Sequence, residues 1–442
     1  MDSPKLSREQ PQRIGVTLMF KWKPLSKKQR MLFNWWQPDS PVKDAEGIIA
    51  DGAIRSGKTV AMALSFVIWA MSTFNEQNFI MAGKTVKSFE RNVLTPLKAI
   101  LPGRGYSFTW RASDSLLRVC RGSKTNDFYI FGGKDEASQS LVQGMTAAGA
   151  YFDEVALMPE SFVNQATGRC SVEGSKLWFN CNPESPLHWF KVGWIDKAKE
   201  KNLLFLHFTM DDNTSLSEAI KERYRNMYSG VFYLRFIKGL WAVAEGLIYS
   251  MFNESHIYDD DSRPVTMLNT SVRYIGVDYG TTNPCVFLDI RDDGRDIWVE
   301  NEWRWDSKSD EAQRLPTPNK TDSEYADAMQ EFMTDDPALQ CMIIVDPSAK
   351  SFITELRQRG FYVKEGDNDV LDGIRVVSSL FTQGKLHIHR RCEGLIRELR
   401  SYVWDAKAAE RGEEKPVKMQ DHGCDALRYL AFTVLPDWRV SA

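Results

Sequence analysis

Through its first half the chain alternates short apolar runs, each closed by glycine or polar residues, with longer stretches of helical character. Gly47-Ile48-Ile49-Ala50 predicts a strand, and Val60 to Met71 a buried helix. A strand at 79–82 leads into helical residues 86–100, and the runs 116–119 and 128–131 predict a hairpin-like pair. Residues 147–154 form a small-residue strand ending in Asp153 and Glu154. Residues 177–183 form another, ending in the amides Asn180 and Asn182. A strand at 203–208 and an amphipathic stretch at 215–238 close this half. The alternation predicts an α/β fold.

A different rhythm begins near residue 270. Residues 272–278 predict a strand ending in Asp278. The runs 285–290 and 297–303 flank Asp292-Asp293-Gly294, a hairpin signal. Residues 306–322 are polar and contain proline, predicting a mobile loop. Residues 342–346 predict a second strand ending in an acid, Asp346, and a last helix is expected over 421–434. Asp259 to Pro264 has the composition of a connector. The predicted organisation is therefore residues 1–240, a 241–270 linker, and 271–442.

Composition narrows the class. At 442 residues, two domains are the natural expectation. A formal net charge of -3 means that any nucleic-acid contact must come from local patches. Candidates are the basic stretch Lys385, Arg390, Arg391, Arg397 and Arg400, and Lys87 with Arg91. No apolar run reaches the roughly 18 residues of a membrane span. The seven cysteines lack CxxC spacing, which argues against zinc and a disulfide framework. With no secretory pattern at residues 1–15, a reducing cytoplasm is the expected setting.

Between the first strand and its helix lies Gly52-Ala53-Ile54-Arg55-Ser56-Gly57-Lys58-Thr59, a full match to G-x-x-x-x-G-K-[ST]. A glycine loop entering a helix N-terminus turns backbone N–H groups and the helix dipole toward phosphates. Lys58 is expected to reach the β/γ-phosphates of ATP, and the Thr59 hydroxyl to ligate Mg²⁺. Gly83-Lys84-Thr85 mimics this ending, but Asn78 replaces the leading glycine, so the run predicts only a strand and its loop. Asp153 is expected to orient Mg²⁺ and Glu154 to act as general base on water. Asn180 and Asn182 are placed to sense the γ-phosphate, their plainer reading being an Asn-Pro turn. Arg55 is either an exposed loop residue or a cation for transition-state charge on its own or a neighbouring subunit's nucleotide.

In the second half, Asp278 and Asp346 each end a strand and Asp425 lies on the last helix. Carboxylates so arranged can hold two divalent ions for in-line phosphodiester hydrolysis. Asp421 and His422 lie at i−4 and i−3 from Asp425. Either competes with Asp425 as a ligand, while Asp421 alternatively caps the helix and His422 carries a proton or serves as a polar cap.

A phosphate-loop half followed by a three-acid half resembles the large terminase subunits of tailed bacteriophages, and the PBSX-type branch most. The phrases carrying the resemblance are residues 55–59, Tyr151-Phe152-Asp153-Glu154, residues 179–183, Val277-Asp278-Tyr279-Gly280, Gly239-Leu240-Trp241 with Glu245-Gly246, and residues 422–429. Together they span about residues 25–435. The resemblance implies an N-terminal P-loop (ASCE-type) ATPase domain followed by a C-terminal RNase H-like nuclease domain. It further implies ATP-driven packaging of double-stranded DNA into a procapsid and cutting of concatemers. Glu154 would be the hydrolytic base, Asn180 and Asn182 part of the coupling motif, and Asp278, Asp346 and Asp425 ligands of Mg²⁺ or Mn²⁺. Gln29 or Gln37 would read adenine. Expected partners are the small terminase subunit and the portal protein, in a homo-oligomeric ring in the host cytoplasm and transiently at the portal vertex. Two other readings stay open: a helicase-like or recombination ATPase whose second half binds DNA without cutting, and an assembly protein using nucleotide only as a structural ligand.

Overall fold

The computed structural model describes residues 24–264, 272–281, 283–333 and 341–438. Residues 1–23 of the expected first domain, 265–270 of the expected linker and residue 271 lie outside the described residues.

An eight-stranded sheet organises the first half. Its strands are β1 (Gly47–Gly52), β2 (Asn78–Gly83), β3 (Ser107–Arg111), β4 (Leu116–Arg121), β5 (Lys124–Gly132), β6 (Gly149–Asp153), β7 (Lys176–Asn180) and β8 (Leu203–Phe208). Their order is β3-β4-β5-β2-β6-β7-β1-β8. The six from β5 to β8 run parallel, and β3-β4-β5 is an antiparallel extension. Strands β1 and β6 are buried along their whole length, as expected where both faces of a parallel sheet are covered. One face carries the phosphate-loop helix Lys58–Thr73, with Phe66, Trp69 and Trp178 at its core. The other holds Phe152, Phe162, Phe179 and Phe190.

Residues 86–100 are helical, interrupted by a π-turn at Glu90–Leu94. The amphipathic stretch read over 215–238 is broken into Glu218–Arg225, Gly230–Phe232 and a π-turn at Tyr233–Ile237.

The second sheet contains β9 (Ile257–Tyr258), β10 (Val272–Asp278), β11 (Cys285–Asp292), β12 (Ile297–Trp305), β13 (Cys341–Val345), β14 (Val363–Glu365) and β15 (Leu386–His389). They lie in the order β14-β13-β10-β11-β12-β15-β9. An antiparallel meander, β10-β11-β12, is extended by β13 and β14 parallel to β10. This is the RNase H-like arrangement that the second half's pattern pointed to. Helices Val370–Thr382, Glu393–Ser401 and His422–Trp438 cover one face, and Asp322–Phe332 and Lys350–Gln358 the other.

Two expectations need correction. Residues 244–258 are not connecting chain: Ala244, Ile248, Tyr249 and Phe252 are buried in the core of the second sheet, and β9 pairs with β15. Apolar residues interspersed among glycine and acids give that stretch a linker's composition while still filling a core. Nor is 306–322 a bare loop, since Ala312 is fully buried and Trp305 Nε1 donates to Pro318 O at 3.0 Å.

Candidate active sites

Register brings the first site together. β7 lies between β6 and β1, pairing Asn180 with both Asp153 and Ala50, so the acid, the amide and the glycine loop emerge at one sheet edge. Gly52 has φ +120°, and a Cβ there would stand 1.9 Å from Phe208 O, so the loop's first position admits only glycine. Lys58 Nζ donates to Gly52 O (2.9 Å), Ala53 O (2.7 Å), Ser56 Oγ (3.1 Å) and Asn182 Oδ1 (3.3 Å). Burial lowers its pKa to about 8, against the opposing pull of Cys181, Asp51, Asp153 and Glu154.

Asn180 Nδ2 donates to Thr59 Oγ1 (3.0 Å) and Asp153 Oδ1 (2.6 Å), and the Tyr151 hydroxyl donates to the same Asp153 oxygen (2.9 Å). Burial nevertheless raises the Asp153 pKa, outweighing those bonds. Glu154 and Arg55 are both left-handed, at φ +57° and +56°, a conformation non-glycine residues adopt at a cost. Burial lifts Glu154 to about 7, with Asp153 and Asp372 adding to the rise and Arg375 and Lys58 opposing it. Arg55 is exposed, its guanidinium 5.4 Å from the Tyr224 ring centroid. Gln29 reaches the loop, its Nε2 lying 2.6 Å from where a Cβ on Gly57 would stand. Gln37 bonds to Phe33 O and Asn34 instead. At the imitation motif, Thr85 caps a short helix by accepting from Ser88 N at 3.1 Å.

The loop opens into a cleft of about 1030 Å³, which also reaches Glu154 and Asn182. Its far wall comes from the second half, through Arg375, Ser379, Gln383 and Lys385.

In the second sheet, Val277 pairs with Val345, so Asp278 and Asp346 emerge side by side. Across them lies helix His422–Trp438. His422 Nδ1 stands 2.8 Å from Asp278 Oδ2, and the Tyr429 hydroxyl donates to Asp346 Oδ2 at 2.9 Å. Asp425 is buried between two cations, Lys418 Nζ at 2.7 Å and Arg428 Nη2 at 3.0 Å, and Asp421 shares Lys418 at 3.2 Å. Burial raises the Asp278 pKa, His422 opposes, and Asp425 and Asp346 add to the rise. Burial works against the His422 cation, but Asp278, Asp421 and Glu398 together hold its pKa above the usual value. The helix's first amides, Gly423 N and Cys424 N, donate to Glu398 Oε2 at 2.6 and 3.1 Å, so Glu398 does the capping that the sequence offers as an alternative role for Asp421. The basic stretch is partly neutralised: Arg391 pairs with Asp260 at 2.7 Å, and Arg400 with Glu254.

A solved structure, the large terminase of a thermophilic bacteriophage, is 52% identical to this chain. The match covers 93% of this chain and all of that one, with a TM-score of 0.88. This chain belongs to the large terminase family. The same relative in complex with ATP-gamma-S matches at 51% identity and a TM-score of 0.85, with the same coverage of both chains. The family profile described as terminase large subunit, T4likevirus-type, N-terminal, matches residues 49–256. The terminase large subunit of Escherichia phage T5 is 26% identical over 306 residues, a match spanning 64% of each chain.

Both sites of this terminase have donors suited to the groups expected there. In the first, Asn180 Oδ1 is buried without a hydrogen-bond partner beside Thr59 and Asp153, an acceptor left for a hydrated cation. In the second, the donors are carboxylates, the set that hard divalent ions prefer. As placed, no three His, Cys, Asp or Glu side chains among the described residues stand close enough to hold one ion, Asp425 being turned to Lys418 and Arg428. The sequence did offer a signal for the supporting residues. Arg428 and Tyr429 follow Asp425 at i+3 and i+4, and Tyr151 precedes Asp153 by two on the same strand face. Glu398 and Arg375 had none. No helix among the described residues is long and apolar enough to cross a membrane.

Proposed function

We propose that this terminase couples ATP hydrolysis on its first sheet to movement of double-stranded viral DNA into a procapsid, and cuts concatemeric DNA on its second. The observation that carries this is the pairing of two strand-end acid constellations, one on a phosphate loop and one on an RNase H-like sheet, within one chain.

In the first site Lys58 and the loop amides bind the phosphates, and Gln29 sits where it can meet the base. Thr59 and Asp153 would hold Mg²⁺, which would supply positive charge against the phosphates. Glu154 accepts the proton of the attacking water, and its left-handed backbone turns it off the strand end toward the cleft. Asn182 accepts from Lys58 and lines the cleft, as a γ-phosphate sensor would. Arg55, exposed on the loop, supplies positive charge to its own or a neighbouring subunit's nucleotide. In the second site Asp278, Asp346 and, once released from Lys418 and Arg428, Asp425 would hold Mg²⁺ or Mn²⁺, with Asp421 as a reserve carboxylate and His422 orienting Asp278. We place the working boundary just before Ala244, the first of four residues of 244–252 in the second core, which Phe232 and Phe236 of the first half also reach. Small terminase subunit, portal protein and a ring of identical subunits complete the motor, in the host cytoplasm and at the portal vertex.

The test is plasmid cleavage and ATP turnover by the full chain. Cleavage that requires Mn²⁺ or Mg²⁺ and stops in EDTA, with turnover accelerated by DNA and procapsids, is expected. Nucleotide binding without turnover, even with DNA and procapsids present, would overturn the motor reading.

A further inference from the structure

Helix Val370–Thr382 packs in the nuclease core through Ile374 and Val377, yet its other side forms the wall of the phosphate-loop cleft. Arg375 is on that wall. It lines the same cleft as Lys58 and Glu154, and both cations oppose the rise of the Glu154 pKa. Its charge is also felt at Glu184, just beyond the Asn180-to-Asn182 strand end.

Among the described residues the Arg375 guanidinium has one ion pair. It pairs with Asp372 on its own helix at 2.7 Å, both side chains being partly exposed (28% and 37%), and such pairs contribute little. It lies 5.7 Å from the Phe236 ring centroid, which supports its flat face. A planar fork of donors, partly exposed and paired with a carboxylate on its own helix, has N–H groups that can meet a phosphate in bidentate fashion.

We infer that Arg375 is a phosphate-binding residue of the ATPase site contributed by the nuclease half, meeting the terminal phosphate of the nucleotide that Lys58 and Thr59 hold. The inference rests on the phosphate loop being the ATP site. A triphosphate then joins the two halves of the chain, whereas a diphosphate, lacking the group that Arg375 meets, does not.

The test compares Mg²⁺ complexes of fluorescent ADP and ATP-gamma-S analogues bound to the full chain and to Lys58→Ala, Arg375→Gln and Arg375→Lys variants. Thermal melting without nucleotide confirms that each variant folds. Arg375→Gln is expected to weaken ATP-gamma-S binding by about 10–100-fold, the worth of a charge-assisted hydrogen bond. ADP binding should stay within about twofold, and Arg375→Lys should recover part of the loss. Equal losses for both nucleotides, or no loss for either, would overturn the inference and leave Arg375 a domain contact. If Lys58→Ala binds both nucleotides normally, the phosphate-loop reading itself fails, a result distinct from the first.

Discussion

The two acid sites of this terminase are built on the same plan and stabilised in opposite ways. Each sets an acid at the end of one strand beside a polar residue ending its parallel neighbour, Asp153 beside Asn180 and Asp278 beside Asp346. Around Asp153 the contacts are neutral donors, Tyr151 and Asn180. Around Asp425 and Asp278 they are Lys418, Arg428 and His422. A site that must receive a highly charged anion with its cation is best kept neutral beforehand. A site whose carboxylates crowd one another beneath a helix needs positive charge to keep them together. The difference shows that one strand-end geometry can be supported in two ways, by direct hydrogen bonds from neutral donors around Asp153 or by direct ion pairs around Asp425 and Asp278.

The largest effect should come from separating the sites. Lys58→Ala is expected to remove ATP turnover and leave metal-dependent cleavage, and Asp278→Asn the reverse, read by phosphate release and plasmid nicking on the same preparations. If either variant loses both activities while folded, the sites are not independent. Next, a fragment beginning at residue 265 should fail to melt cooperatively, because it lacks Ile248, Tyr249 and Phe252, whereas one beginning at 243 should fold. Equal melting of the two would mean that those side chains are dispensable cover.

A smaller effect tests the ionic support directly. Arg428→Met should cost about 3–5 kcal/mol in urea unfolding, because it removes a buried partner of Asp425. A cost below about 1 kcal/mol would mean that Lys418 alone suffices. The smallest lies between the sites, at Glu184, which with Glu414 flanks the buried Arg235. Burial lifts the Glu184 pKa from 4.5 to about 7, Glu414 and Asp372 adding to the rise and Arg235 and Arg375 opposing. The folded chain therefore holds this proton more tightly than the unfolded one. The contribution is full below pH 4.5 and is lost as pH rises through about 7. The melting temperature of the parent should thus fall relative to Glu184→Gln across that window. Parallel curves would place the titration elsewhere.

What could be read in advance was whatever local pattern encodes. The glycine loop, the strands ending in Asp153, Asn180, Asp278 and Asp346, and the helix carrying Asp425 all announce themselves within a few residues of sequence. Tertiary choices did not. Helix Val370–Thr382 has an apolar face that implies burial, but nothing in its sequence says that its polar face closes another domain's cleft. Glu398 caps a helix about 25 residues away in sequence, a contact set only by how the two helices pack. Residues 244–258 misled for the opposite reason: their turn-forming composition describes the backbone, while four scattered apolar side chains decide where it lies.

Gly373 sits on the same helix as Arg375, facing inward, and a Cβ there would meet Arg428 Cγ at 2.3 Å. Arg428 also donates to Asn368 O and Asp369 O at the helix's leading end while holding Asp425. The helix that walls the phosphate-loop cleft thus rests without clearance on the side chain that holds Asp425, and a close-packed joint has no slack to absorb a tilt. Any shift of the helix must move Arg428 or be blocked by it, so the two clusters share one rigid strut.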